Sequence, residues 1–276
     1  MVKEIDINEL NEFTKFVKFS SPFKKDDNFI NTPKLSQELP KGRWILTEKI
    51  NGTNIRIIIT KPNEEGKREI HIGSRNLILN QEDKSSKQYM DCLSEVNTHK
   101  IKEYFKDVNS TIIIYGEGYG AGIQKGGIYS KEKNFRVFDI RIGEAYQDFE
   151  YVKKVCIDNQ LNLVPILQEI KEVCYHDCRY YLNEFKETLI KEGSGGKPEG
   201  FVMKFEPVLL NKYKKRLIFK IKFKDFKKEE GIPPTAGSKK DSTGVYSGRV
   251  KPKLIELLRW FERKKDIENL IQNKET

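Results

Sequence analysis

Five short stretches hold residues able to do chemistry on a phosphate ester, and they follow one another in workable order. They are Lys49-Ile50-Asn51-Gly52, Tyr115-Gly116-Glu117-Gly118, Phe135-Arg136-Val137-Phe138-Asp139, Glu199-Gly200-Phe201-Val202 and Lys220-Ile221-Lys222. Each is ambiguous alone: Lys49 could be a surface lysine beside a turn, Glu117 an ordinary acid, and Phe138 a core ring in a strand. Together they supply a lysine nucleophile, two acids, an aromatic platform for a base and a lysine pair for phosphate. That is the inventory needed to attack a nucleoside triphosphate and retain the nucleotide. An attacking lysine must be neutral, whereas a free one titrates at about 10.4. Cations such as Lys220, Lys222, Arg75 or a divalent metal would favour the neutral amine and stabilise the charge of the transition state.

The elements that must position these residues can be read from periodicity. Trp44 to Lys49 and Ile55 to Thr60 are β-rich and flank Asn51-Gly52, a hairpin-turn signal, so Lys49 is expected at the end of a strand. Further strands are predicted at Glu69 to Gly73, Thr111 to Tyr115, Phe135 to Ile140, Gly200 to Phe205 and Leu217 to Phe223. In the last of these Phe219, Ile221 and Phe223 face one way and Lys220, Lys222 and Lys224 the other. Three like charges on one face call for an anion between them. The glycines on either side of Glu117 are expected to let the backbone approach a ligand. Apolar spacing of three to four predicts helices at Lys87 to Phe105, Tyr151 to Asn159 and Glu169 to Lys191. Strands with helical insertions and no regular alternation predict an α+β fold on antiparallel sheets.

Flanking regions read differently. Pro22, Pro33 and Pro40 interrupt the first forty residues, which look like a lead-in. Gly193 to Lys197 superficially resembles a phosphate loop but lacks its spacing, and reads as a flexible connector. Glu229 to Gly248 holds Pro233, Pro234 and four glycines, the texture of a linker, before a last helix starting near Pro252. The expected organisation is a domain over 1–228 and a linker with a short helical appendage over 229–276.

Composition narrows the partners. The 276 residues carry 51 Lys and Arg against 41 Asp and Glu, a formal charge of +10 that favours a polyanion. The excess peaks between Asn211 and Lys228, with nine basic residues and one acid. No apolar run approaches the roughly 20 residues of a membrane span. The start shows neither a secretory nor a transit signal, so a cytoplasmic protein is expected, in a host cell's cytoplasm if the source is viral. Cys92, Cys156, Cys174 and Cys178 are too few and scattered for a disulfide framework. Cys174-x-His176-x-Cys178 fits no common zinc pattern, and helical spacing makes these cysteines small buried hydrophobes.

The motif order resembles that of covalent nucleotidyltransferases, the group of polynucleotide ligases and mRNA capping enzymes. Within it, Glu48 to Asn54 and Tyr115 to Ile140, with Gly122-Ile123-Gln124-Lys125, are similar to the phage-type RNA ligase 2 family, over roughly residues 40 to 225. The resemblance implies a nucleotidyltransferase (ATP-grasp-like ligase) domain and ATP-dependent joining of RNA 5′-phosphate and 3′-hydroxyl ends, through AMP on Lys49 and an adenylylated RNA end. It implies Lys220 and Lys222 as catalytic, and nucleotide contacts from Glu48, Ile50, Asn54, Arg75, Glu117 (ribose), Phe138 (adenine), Glu199 and Lys204. Glu199 would also serve a Mg²⁺ or Mn²⁺ ion, and the partner would be RNA, nicked duplex included, bound by a monomer in RNA repair. The tail is too small to be the C-terminal domain of the phage-type enzymes. A DNA nick ligase, a GTP-using capping enzyme and a basic RNA-binding protein that has lost catalysis are the competing readings.

Overall fold

The computed structural model describes residues 6–19, 23–25, 31–33, 41–171, 181, 184–210 and 216–223, all within the unit Met1–Gly231. The expected linker and final helix, Lys224, Cys174, Cys178 and most of the predicted helix from Glu169 lie outside them. In chain order the elements are α1 (Ile7–Thr14), β1 (Phe23–Lys25), β2 (Asn31–Pro33), β3 (Arg43–Lys49), β4 (Thr53–Ile59), β5 (Ile70–Gly73), α2 (Lys87–Cys92), α3 (Thr98–Tyr104), β6 (Ile112–Tyr119), β7 (Asn134–Ile142), β8 (Ala145–Tyr146), α4 (Phe149–Asn159), β9 (Ile166–Ile170), β10 (Gly200–Glu206) and β11 (Ile218–Lys222).

Two antiparallel sheets carry the molecule, one in the order β11-β10-β3-β9 and one in the order β5-β4-β6-β7-β8, beside a β1-β2 ribbon. The α+β expectation holds, with antiparallel pairing between every pair of named strands. One expectation fails here. β3 and β4 do not pair as a hairpin but belong to different sheets, so Asn51-Gly52 carries the chain from one sheet to the other. Neither residue adopts positive φ. Gly52 is needed because a Cβ would stand 2.2 Å from the Gly118 carbonyl oxygen.

Alternation decides the faces. Ile55, Ile57 and Ile59 of β4 point into a core with Ile112 and Ile114 of β6, closed by Cys92, Ile101, Phe105, Val152, Val155 and Cys156 from α2, α3 and α4 and the residues after them. Each fully buried aliphatic side chain contributes roughly 1.5–3 kcal/mol. The opposite face carries Ile58, Ile113 and Tyr115 and takes Leu10 of α1 against it. Trp44, Leu46, Phe201, Met203 and Ile221 form the core of the other sheet, with Phe219 and Phe223 packed on it.

Other expectations need correction. The helix predicted at Lys87 to Phe105 is two helices, because Leu93 turns into the core and Asn97 caps a new start by accepting from Lys100 N at 2.9 Å. Glu169 and Ile170, predicted to open a helix, instead end the strand Ile166–Ile170 on the edge of the first sheet, where they pair with Ile45 and Trp44 of β3. Gly193 to Gly196 is no free connector: Ser194 N and Gly195 N donate to Gly127 O and Ile128 O at 3.2 and 3.0 Å, and Gly196 O accepts from Thr188 N at 2.9 Å. The glycines beside Glu117 serve packing, since a Cβ on Gly116 would meet the Phe135 ring at 2.3 Å and one on Gly118 would meet Ile55 Cδ1 at 2.6 Å. Cys92 and Cys156 are free and buried.

Candidate active site

A cleft of about 370 Å³ opens where the two sheets face each other, and it is lined from β3, β4, β6, β7, β10 and β11. Register assembles its first wall. Gly200 pairs with Lys49 on one side and Lys222 on the other, so Glu199, just ahead of it, lies between two lysines. Its N–H donates to Lys49 O and its carbonyl accepts from Phe223 N, both at 3.2 Å. The Glu199 side chain then binds both amines: Lys49 Nζ donates to Oε2 and Lys222 Nζ to Oε1. Burial pushes the Glu199 carboxyl up, but the two ammonium groups outweigh it and hold it below the usual carboxylate range. Gly200 allows this close stacking, as a Cβ there would lie 1.9 Å from Ile221 O.

Lys220 lies two residues along the same face, as the strand alternation predicts, and also lines the cleft. Burial, then the charges of Lys222, Lys49 and Arg75, pull its pKa down. This wall is therefore short of negative charge, and a polyphosphate would supply it.

The second wall comes from the other sheet. Asn54 pairs directly with Glu117 across β4 and β6, putting both on the cleft face. Asn54 Oδ1 is buried without a hydrogen-bond partner among the described residues, an arrangement that a bound ligand's donor would relieve. Burial, chiefly, drives the Glu117 carboxyl up to about 7; Lys49 and the Gly52 N–H oppose this, and Glu199 adds to it. Phe138 owes its place to a bulge. Asp139 pairs with Tyr115 and Val137 with Gly116, so Phe138 has no partner in that ladder and its ring turns to the cleft.

The remaining predicted residues are also accounted for. Arg75 is exposed at the rim. Ile50 is buried against Tyr119, Tyr129 and Val164, with Phe138 packed on that cluster. Glu48 borders the cleft, but its carboxylate accepts from Thr188 Oγ1 at 2.5 Å and Leu189 N at 2.9 Å, and burial raises its pKa. Lys204 is buried at the cleft floor, donating to Phe138 O and standing 3.5 Å from Asp139, which also accepts from Arg216 at 2.6 Å.

Sequence reasoning missed several contributors. Tyr129 OH accepts from Asn51 N at 3.0 Å, and Gln124 Nε2 donates to Gly52 O at 2.7 Å, fixing the crossing link. Thr188 carried no signal, being one of many polar residues in a segment read as helix. Phe16, Val17, Lys18 and Phe19 of the lead-in line the cleft as well, and the prolines around them hid that role.

A divalent cation fits this donor set in a limited way. Among the described residues no group of three or more acidic, His or Cys side chains is gathered for an ion, but Glu199 and Glu117 face one cleft and are electrostatically coupled. A hard cation held by one or two carboxylates and completed by substrate phosphates asks for no more.

The sequence matches the family described as RNA ligase over residues 42–222, which takes in both walls. Among solved structures the fold is similar to Naegleria gruberi RNA ligase with PPi (18% identity, TM-score 0.50, 79% of this chain and 64% of that one). A mutant of that ligase with ATP and Mn gives 18% identity and a TM-score of 0.50 over 69% of this chain and 52% of that one. An apo mutant gives 16% and 0.51, over 72% and 59%. The chain thus spans between about half and two thirds of these structures' length. No curated protein sequence matches it.

Proposed function

Because this chain belongs to the RNA ligase family, we propose that it is an ATP-dependent RNA ligase that seals 5′-phosphate to 3′-hydroxyl ends through AMP carried on Lys49. The observation that carries the reading is the cleft itself: Lys49, Lys220 and Lys222 on one wall and Asn54, Glu117 and Phe138 on the other. Phe138 offers a flat ring for a base, and Glu117 a carboxylate for the ribose hydroxyls. Lys220 and Lys222 on the cleft would neutralise charge gathering on the phosphates.

Lys49 Nζ would attack the α-phosphorus, forming an N–P bond as pyrophosphate leaves. That amine is held in an ion pair by Glu199, so before the attack the pair must open and the ammonium must give up its proton. Glu199, with Glu117 nearby, would hold a divalent cation, which when bound neutralises phosphate charge. The AMP would then pass to an RNA 5′-phosphate, and a 3′-hydroxyl would displace it. Adenine is inferred from the family resemblance and from the ATP in the Naegleria structures; no cleft residue by itself selects the base.

The test is incubation with labelled ATP and, separately, GTP, followed by denaturation, then sealing of RNA and DNA nicks. Label from ATP should remain attached, Lys49→Ala and Lys49→Arg should retain none, and RNA should be sealed. An adduct on the Lys49→Ala protein would place the nucleophile elsewhere. Attachment of GMP would favour capping chemistry, and preferential DNA sealing a DNA ligase.

A further inference from the structure

We infer that the N-terminal segment Phe16–Phe19, which precedes the family-matched residues 42–222, is a working wall of the nucleotide site that sets the pose of Phe138 and Lys220. The inference rests on the ligase reading above and deepens it.

The segment is delivered there by a built anchor. α1 starts with a side-chain cap, Asp6 accepting from Asn8 N at 2.8 Å. Its far end leaves carbonyls that a helix cannot satisfy by itself. Strand side chains of the five-stranded sheet supply the donors. Arg56, fully buried, donates to Asn11 O at 3.2 Å, Thr14 Oγ1 at 2.9 Å and Asn11 Oδ1 at 2.9 Å. Tyr115 OH donates to Thr14 O at 2.9 Å, and Arg141 to Phe13 O. Two cations at a helix C-terminus also match its negative end. From the pinned Thr14 the chain runs along the cleft, which Phe16, Val17, Lys18 and Phe19 line.

Phe16 then meets Phe138 in an edge-to-face contact, centroids 5.1 Å apart and planes at 70°, while Tyr115 and Tyr146 hold Phe16 at 4.9 and 6.1 Å. Phe138 sits on a bulge without ladder partners, so its ring direction depends on such neighbours. Further along, Lys220 Nζ stands 5.5 Å from the centre of the Phe19 ring. A cation over an aromatic face is attracted to it, which directs Lys220 among the positive charges around it. One short segment therefore touches both the base platform and a phosphate lysine.

The experiment measures the rate of adduct formation against ATP concentration, with thermal melting, for full-length wild type, Phe16→Leu, Phe16→Tyr and Phe19→Leu. Phe16→Leu should raise the half-saturating ATP about three- to tenfold, the worth of one aromatic pair, with the maximal rate nearly unchanged. Phe16→Tyr should restore it. Phe19→Leu, outside the core clusters, should lower the maximal rate by about two- to tenfold, and it carries the test if Phe16→Leu does not fold. Unmoved ATP dependence in an adduct-forming, folded Phe16→Leu protein overturns this inference alone, as does a lower melting temperature and active fraction with no change in half-saturation. No adduct from wild type with any nucleoside triphosphate overturns the ligase reading and this inference with it.

Discussion

Glu117 offers a stability test that needs no ligand. Its carboxyl titrates at about 7 in the fold against an ordinary 4.5, chiefly through burial. The folded protein therefore holds this proton more tightly than the unfolded chain. Below the unfolded value both states are protonated and nothing is lost. As pH rises from the unfolded to the folded value, the unfolded state sheds its proton first, and the fold loses stability. Above the folded value the loss is complete, and at 1.36 kcal/mol per unit a shift of this size amounts to about 3 kcal/mol. Glu117→Gln mimics the protonated acid and carries no such penalty. The two proteins should be nearly equal at about pH 4.5, and the variant should lead by about 3 kcal/mol at about pH 8, with the gap opening between. For a unit of this size that is roughly 6–12 °C in melting temperature. Urea denaturation of both proteins across that range, in chelator to remove divalent cations, makes the measurement. A difference that stays flat with pH would refute the reasoning, because it would mean that the fold does not disfavour the charge on Glu117. The same variant should bind nucleotide more weakly, since an amide accepts the ribose hydroxyl bonds less strongly than a carboxylate.

Lys220→Ala should leave the fold intact, since the residue stands among like charges, while adduct formation falls by about 10²–10³; an unchanged rate would make this strand face an ordinary charged surface. Arg56 also donates to Ser74 O at 2.8 Å, so Arg56→Ala should cost roughly 3–5 kcal/mol, from a cavity and from acceptors on Asn11, Thr14 and Ser74 left without this donor. Denaturation with urea checks this, and a loss below about 1 kcal/mol would mean that these bonds do not anchor α1.

What the sequence determined alone is local and periodic. Alternation from Leu217 to Phe223 separates an apolar face, now in a core, from Lys220 and Lys222 on the cleft. The β-rich run before Lys49 leaves that lysine at a strand end, and apolar spacing located α4. Such features are legible because strand and helix geometry fixes the direction of a side chain from its neighbours two to four positions away. Which strands share a sheet is not local. Asn51-Gly52 reads as a hairpin, yet β3 and β4 part company there, because each finds a better-buried neighbour far along the chain: Lys49 beside Gly200, and Asn54 beside Glu117. The bulge that frees Phe138 is a register shift opposite Tyr115 and Gly116 of β6, and no periodicity announces it. The lead-in joined the site through hydrogen bonds from buried side chains on β4, β6 and β7, donors that a reading of its own prolines and charges could not see. Residue types and their order announced the chemistry, and long-range burial chose the partners that bring those residues to one cleft.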